Sequence, residues 1–208
     1  ANEGGLEGRN RFLKNIMGLW ILQEVQRQFA EQGAVCDFST MDAEAAAAPP
    51  FRSIIVPNDP AFFEPGDMVG KIQAQCRRTH QPVPEMVGEV TRCVQESLAL
   101  TYRATLQHLE RLSGFQFKSV HVIGGGARSR VLNLMTASAL GRPVYAGPFE
   151  AAAVGNLCAQ FIAAGELSGL DEARQVVARS FEIAEILPQP DPRWDAAFER
   201  FETIRTVR

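Results

Sequence analysis

At 208 residues, 46% hydrophobic and 22% charged, the chain is long enough to bury a real core and has the balance of an ordinary globular protein. Its net charge of −3 gives no electrostatic case for nucleic acid or a membrane surface. No apolar run reaches the ~20 residues that a membrane span needs, and the polar, glycine-rich start ANEGGLEGRN is unlike a signal peptide. A cytoplasmic enzyme is expected.

Taken in chain order, residues 9–32, RNRFLKNIMGLWILQEVQRQFAEQ, are expected to form the first helix. Phe12, Leu13, Ile16, Met17, Leu19, Trp20, Ile21 and Leu22 leave almost no polar face in its middle. A helix apolar nearly all round is buried. Asn15 would then need partners for its amide, on neighbouring backbone, on a cap or on a ligand. Gly18, three residues on, would share its face and open space beside it.

Residues 39–48 read as a short helix capped by Thr40 and ended by Pro49 and Pro50, and residues 53–56 as a short strand. The loop PNDPAFFEPGD follows at 57–67, with Asp59 and Asp67 as turn and cap residues rather than metal ligands. Residues 67–79 are expected to be helical, QPVPE at 81–85 to break the chain, and 85–112 to form a long helix. Val87, Val90, Val94, Leu98, Leu109 and Leu112 trace its core stripe. Helices are also expected over 170–180 and 191–207. The second is amphipathic, with Trp194, Phe198, Phe201 and Ile204 inward and Glu199, Arg200, Glu202 and Arg205 as a solvated face.

Residues 119–156 carry the most telling pattern. Val120, Val122 and Ile123 are followed by Gly124, Gly125 and Gly126, then a helix over 129–140, a strand over 142–146, and an alanine-rich helix from near Glu150. Strand, glycine turn, helix, strand, helix is the order of an α/β nucleotide-binding unit. Glycine allows φ > 0 and lets a ligand lie flat on the backbone, and the amides of the next helix favour an anion. The same triplet also serves a strand–helix turn that binds nothing.

Two familiar phosphate loops can be tested. No G-x-x-x-x-G-K-[ST] run occurs. The dinucleotide fingerprint is met at Gly124 and Gly126, but Ser129 stands where its third glycine belongs, and Glu150 lies four residues beyond the expected strand. An NAD-binding oxidoreductase is therefore a weak alternative. Cys36, Cys76, Cys93 and Cys158 form no C-x-x-C and have no neighbouring histidine pair, which argues against zinc. His80, His108 and His121 are scattered.

GGGARSRVLNLMTASALGRPV, followed by AGPFEAAAVGN, resembles the adenosine motif of the FGGY carbohydrate kinases, of the actin-like ATPase (ribonuclease H-like) superfamily. NEGG at 2–5 and RFLKNIMGLW at 11–20 extend the likeness from Asn2 to about Pro190, and it is greatest to the rhamnulokinase branch. The resemblance implies an α/β fold, helix-rich around a small sheet, with residues 1–208 as the carboxy-terminal domain of a longer two-domain enzyme and its first strands missing. A start at ANEGG, without methionine, agrees with a fragment. Exposed sheet edges would then favour weak self-association of an otherwise monomeric chain.

The implied activity is ATP-dependent phosphorylation of L-rhamnulose at its primary hydroxyl, with Mg²⁺. Another ketose, such as fuculose or xylulose, and a catalytically empty actin-like nucleotide-binding module are the alternatives. By the same resemblance Asn15 contacts the sugar and Gln23 lies near the ATP. Gly124, Gly125 and Gly126 border the adenosine, Ser129 caps the next helix, and Asn133 steadies that helix or reaches the base. The catalytic base and phosphate loops would lie upstream, which leaves no catalytic residue here. Leu134 and Ser138 replace a glutamine and an aspartate frequent in the family and read as packing changes. Cys76 and Cys93 have the spacing of two cysteines in rhamnulokinases of enteric type, which implies a bridge that would contribute roughly 3 kcal/mol. A reducing cytoplasm favours free thiols instead.

Overall fold

The computed structural model describes residues 1–34 and 36–206. It opens on an antiparallel hairpin, β1 (Asn2–Gly4) and β2 (Asn10–Phe12), with Asn2 opposite Phe12. Four helices follow, α1 (Trp20–Glu31), α2 (Phe38–Ala47), α3 (Met68–Arg78) and α4 (Val87–Ser113). The second half alternates, through β3 (Val120–Val122), α5 (Arg130–Leu140), β4 (Val144–Ala146), α6 (Ala151–Ala163), α7 (Leu170–Ser180), β5 (Ala184–Ile186) and α8 (Arg193–Thr206). β4 is the middle strand of a mixed sheet, parallel to β3 and antiparallel to β5, with Tyr145 opposite both His121 and Glu185.

The 27 residues of α4 make a rod about 40 Å long, and the core forms on two of its sides. On one, Val90, Cys93, Val94 and Leu98 pack with Ile21 and Val25 of α1, Met41 of α2, and Ile72 and Cys76 of α3. On the other, Ala99, Leu100 and Ala104 pack with Ile54, Ala139 of α5, and Trp194, Phe201 and Ile204 of α8. The stripe read from the sequence is right at Val90, Val94 and Leu98 but fails at Leu112, which is 59% exposed. The last turn of α4 runs past both clusters before Gly114 ends it in the left-handed region at φ 74°.

The expected helix over 9–32 is only half helix. Residues 10–12 are spent on the hairpin, and 13–18 are irregular up to the turn that starts α1. Met17 donates its N–H to Asn58 Oδ1 at 2.7 Å, a side-chain partner in place of a helical carbonyl. Asn15 is therefore exposed rather than buried in a helix, and Gly18 does not stack beside it. The cap of α2 is Asp37, which accepts from Thr40 N–H, and not Thr40 itself. Asp59 and Asp67 do cap, accepting from Ala61 and Gly70 N–H.

Residues 53–56, expected as a strand, are irregular and pair with no strand among the described residues. Side chains supply the missing ladder. Gln81 accepts from Ile54 N–H at 2.8 Å and donates to Ile54 C=O at 2.7 Å. Ser97 Oγ accepts from Ile55 N–H and Gln75 Oε1 from Val56 N–H. Similarly, Glu96 accepts from Phe51 N–H while Arg92, paired with Glu96, donates to the carbonyls of Ala45 and Ala48 at the end of α2. On α8 the solvated face is narrower than expected: Arg200 turns inward and donates to Phe51 C=O, and Glu202 is half-buried. Val207, the last residue of the expected helix, lies outside the described residues.

Cys76 and Cys93 are free, buried thiols that meet across α3 and α4. Their shared hydrogen bond, with burial next, pushes the Cys93 thiol well above its ordinary value.

Two predictions follow from the polar contacts of the core. Gln81→Ala leaves both polar groups of the fully buried Ile54 without partners and should cost about 2 kcal/mol. It would be read as a lower urea midpoint at constant m-value, and an unchanged midpoint would contradict it. Glu110 accepts from both terminal nitrogens of Arg142 and from Phe117 N–H, and the Arg142 hydrogen bond holds its carboxyl below the usual range. A depressed carboxyl stabilises the fold fully above its unfolded value of about 4.3 and loses that contribution as pH falls through the folded value. Glu110→Gln should therefore flatten the acid limb of the stability curve below about pH 4.3, and an acid limb of unchanged slope would count against this.

Candidate functional site

β3 runs into a 3₁₀ turn, Gly124–Arg128, and the turn runs into α5. Gly124 sits at φ 71°, the left-handed conformation that L side chains resist. Its N–H donates to Pro148 C=O at 3.1 Å, and Gly147 N–H donates to Val122 C=O at 2.9 Å. These two bonds fasten the loop after β4 to the glycine turn. Ser129 caps α5 by accepting from Leu132 N–H at 3.3 Å. Asn133, 2% exposed, donates from Nδ2 to the carbonyls of Gly126 and Ala127, both at 3.2 Å. The turn is thus held from the α5 side.

Gly125 is different in kind. Its φ is not positive, and a methyl group built on it would find no atom within 4 Å. Neither backbone conformation nor packing within the chain requires glycine there. The result is a strip of bare backbone facing open space, at the amino-terminal end of a capped helix.

Two cavities flank β3, the outer strand of its sheet. One, of about 350 Å³, lies between β3, α4 and α5 and is lined by Ile16, Leu19, Leu109, Val122, Gly126 and Asn133 among others. The other, of about 570 Å³, lies between the sheet and the α6–α7 pair and is lined by Ile123, Pro148, Gly155, Cys158, Leu170 and Val177 among others. His121 and Ile123 border both. Next to Pro148 in the chain, the Phe149 ring has the Arg128 guanidinium 4.7 Å from its centre, with Glu150 at 3.8 Å from Arg128 Nη2. Among the described residues no three His, Cys, Asp or Glu side chains converge on one point.

The structure brings Gly124, Gly125 and Gly126 into one turn, with Ser129 and Asn133 of the following helix beside it. Asn15 is connected to them only through its neighbour Ile16, which borders the first cavity. Gln23 lies on the exposed side of α1, outside the lining of both cavities. Arg128 and Phe149, which were not among the expected site residues, also meet beside this turn. Ser138, one of the two departures, is a packing residue whose Oγ accepts from Gln189 N–H at 3.0 Å.

Residues 1–164 match the family model for the carboxy-terminal domain of the FGGY family of carbohydrate kinases. The chain is 43% identical over 202 residues to a rhamnulokinase from Bacteroides thetaiotaomicron, covering 97% of this chain and 41% of that protein. It spans about two fifths of the length of that relative. Among solved structures it is similar to a xylulose kinase from Rhodospirillum rubrum, with a TM-score of 0.63 and 22% identity over 88% of this chain and 36% of that one. A second, a "xyloylose kinase" from Brucella ovis, gives a TM-score of 0.57 at 21% identity, covering 88% of this chain and 38% of that one. The helix-rich α/β architecture with its small mixed sheet is that of the actin-like ATPase fold.

The contrast between the two glycines yields a direct test. Gly124→Ala should lower stability by about 1–2 kcal/mol through left-handed strain. Gly125→Ala should leave it unchanged or raise it by up to about 1 kcal/mol. Thermal unfolding of the two variants checks this, and equal losses in both would contradict it.

Proposed function

The chain belongs to the FGGY family of carbohydrate kinases, and from that premise we propose that it is the adenosine-side domain of a cytoplasmic, ATP-dependent ketose kinase acting on L-rhamnulose. The likeness at 43% identity to a rhamnulokinase supports that sugar. No helix among the described residues is long and apolar enough to cross a membrane, which agrees with a metabolic enzyme working in solution.

Phosphoryl transfer to a sugar hydroxyl needs an adenosine slot, a phosphate cradle with Mg²⁺, a base for the hydroxyl, and amides that orient the sugar. This chain would supply the first and part of the last. The nucleoside would lie along the bare backbone of Gly125 and Gly126. The cap at Ser129 and the amide of Asn133 keep that turn in one conformation before ligand arrives, so little ordering is left to be done on binding. Asn15, on its exposed irregular segment, would reach toward the sugar, and Gln23 toward the nucleotide. The base and phosphate loops would come from a preceding domain.

The observation that carries this reading is Gly125, a glycine whose missing side chain serves nothing inside the chain. Gly125→Ala in the full-length enzyme should raise the KM for ATP about tenfold, the effect of one intruding methyl group, with no loss of stability.

The test of the activity itself is ADP release by the full-length protein with ATP, Mg²⁺ and a panel of ketoses. Selective turnover of L-rhamnulose is expected, with none from residues 1–208 alone. Turnover of another ketose would keep the kinase and discard this sugar; no turnover with nucleotide still bound would favour a regulatory module. Asn15→Ala should raise the sugar KM or lower kcat with little change in ATP affinity, and unchanged sugar kinetics would remove Asn15 from the site.

A further inference from the structure

We propose that Arg128 and Phe149 together form the shelf on which the nucleotide's base stacks, an inference that rests on the nucleotide function proposed above. Phe149 is 46% exposed, and the Arg128 side chain is 65% exposed, so neither is held in place by the core. The exposed Phe149 ring follows Pro148, which lines the second cavity. Its loop is fixed independently of Arg128, by the backbone bonds from Gly124 to Pro148 and from Gly147 to Val122. Arg128 lies with its guanidinium 4.7 Å from the ring centre, which covers one aromatic face and leaves the outer face of the cation open. A flat base of either ring type stacks well on a guanidinium or an aromatic ring, since every base has a π-face.

The neighbouring charge decides against a phosphate as the partner of Arg128. Glu150 stands 3.8 Å from Arg128 Nη2, too far for a hydrogen bond but close enough to repel an anion approaching the same guanidinium. The Phe149 ring offers no donor either. A neutral planar group is accepted by both side chains, and the open backbone at Gly125 lies in the turn that Arg128 ends. The base and the backbone strip would thus be read by adjoining parts of one surface.

The experiment uses the full-length kinase with two probes, ATP and inorganic tripolyphosphate, which has the phosphates but no base. Arg128→Ala and Phe149→Ala should each raise the KM for ATP about tenfold, leave kcat nearly unchanged, and leave inhibition by tripolyphosphate as it was. Arg128→Lys, which keeps the charge and loses the plane, should behave like Arg128→Ala. Both side chains are exposed, so unfolding temperatures should not move.

An Arg128→Lys enzyme with the original KM for ATP, or a matching loss of tripolyphosphate affinity in Arg128→Ala, would overturn the shelf in favour of a charge contact. Unchanged ATP kinetics in both alanine variants would overturn it too. If Gly125→Ala still weakens ATP in that case, the nucleotide reading stands without the shelf. If the unmodified enzyme binds no ATP, both fall together.

Discussion

Buried backbone that belongs to neither helix nor strand still has to satisfy its N–H and C=O groups, and side chains do that throughout this fold. Gln75, Gln81 and Ser97 stand in for a neighbouring strand along residues 54–56. Glu96 and Glu110 of α4 take the N–H groups of Phe51 and Phe117, and Asn58 takes that of Met17. Each such bond adds only about 1 kcal/mol net, but leaving a buried group unpaired costs about 1–3 kcal/mol. The irregular segments therefore have one low-energy arrangement each, set by the helices they cross.

The glycine turn, the proposed nucleotide site, is another case of this rule. Its carbonyls at Gly126 and Ala127 point to Asn133, and its first N–H is taken by Pro148. One side of the turn is thus fully engaged by α5 and by the loop after β4, and the other side is left bare at Gly125. A turn built this way is rigid and unencumbered at once. Rigidity comes from an amide and a serine cap, and access comes from the side chain that is missing.

Much of this was legible in the sequence, for physical reasons that can be named. The strand–glycine–helix–strand order declared itself because β-branched runs, a glycine triplet and a serine cap are each strong local signals, and β3, α5, β4 and α6 lie where that order puts them. Only the second half of the helix expected over 9–32 forms, because a run that is apolar on all sides has no period and does not mark where a helix starts. The rule that a buried amide needs partners was sound, but the amides that obey it are Gln81, Gln75 and Asn133 rather than Asn15. Nothing local marks Gln81 as the partner of Ile54, 27 residues away. β5 was missed for the same reason, since three residues over Ala184–Ile186 acquire strand character only by pairing with β4. Arg128 and Phe149 come together from different loops, a contact that no spacing in the chain announces.

The central claim is that nucleotide lies against the bare side of the glycine turn. Amide hydrogen exchange of the full-length protein, with and without saturating ATP, tests it most directly because it reads position rather than rate. The account predicts slowed exchange over residues 123–129 and 148–150 on ATP binding, in the turn and in the loop fastened to it. Protection at another set of residues, with those two segments unchanged while ATP is bound, would contradict it.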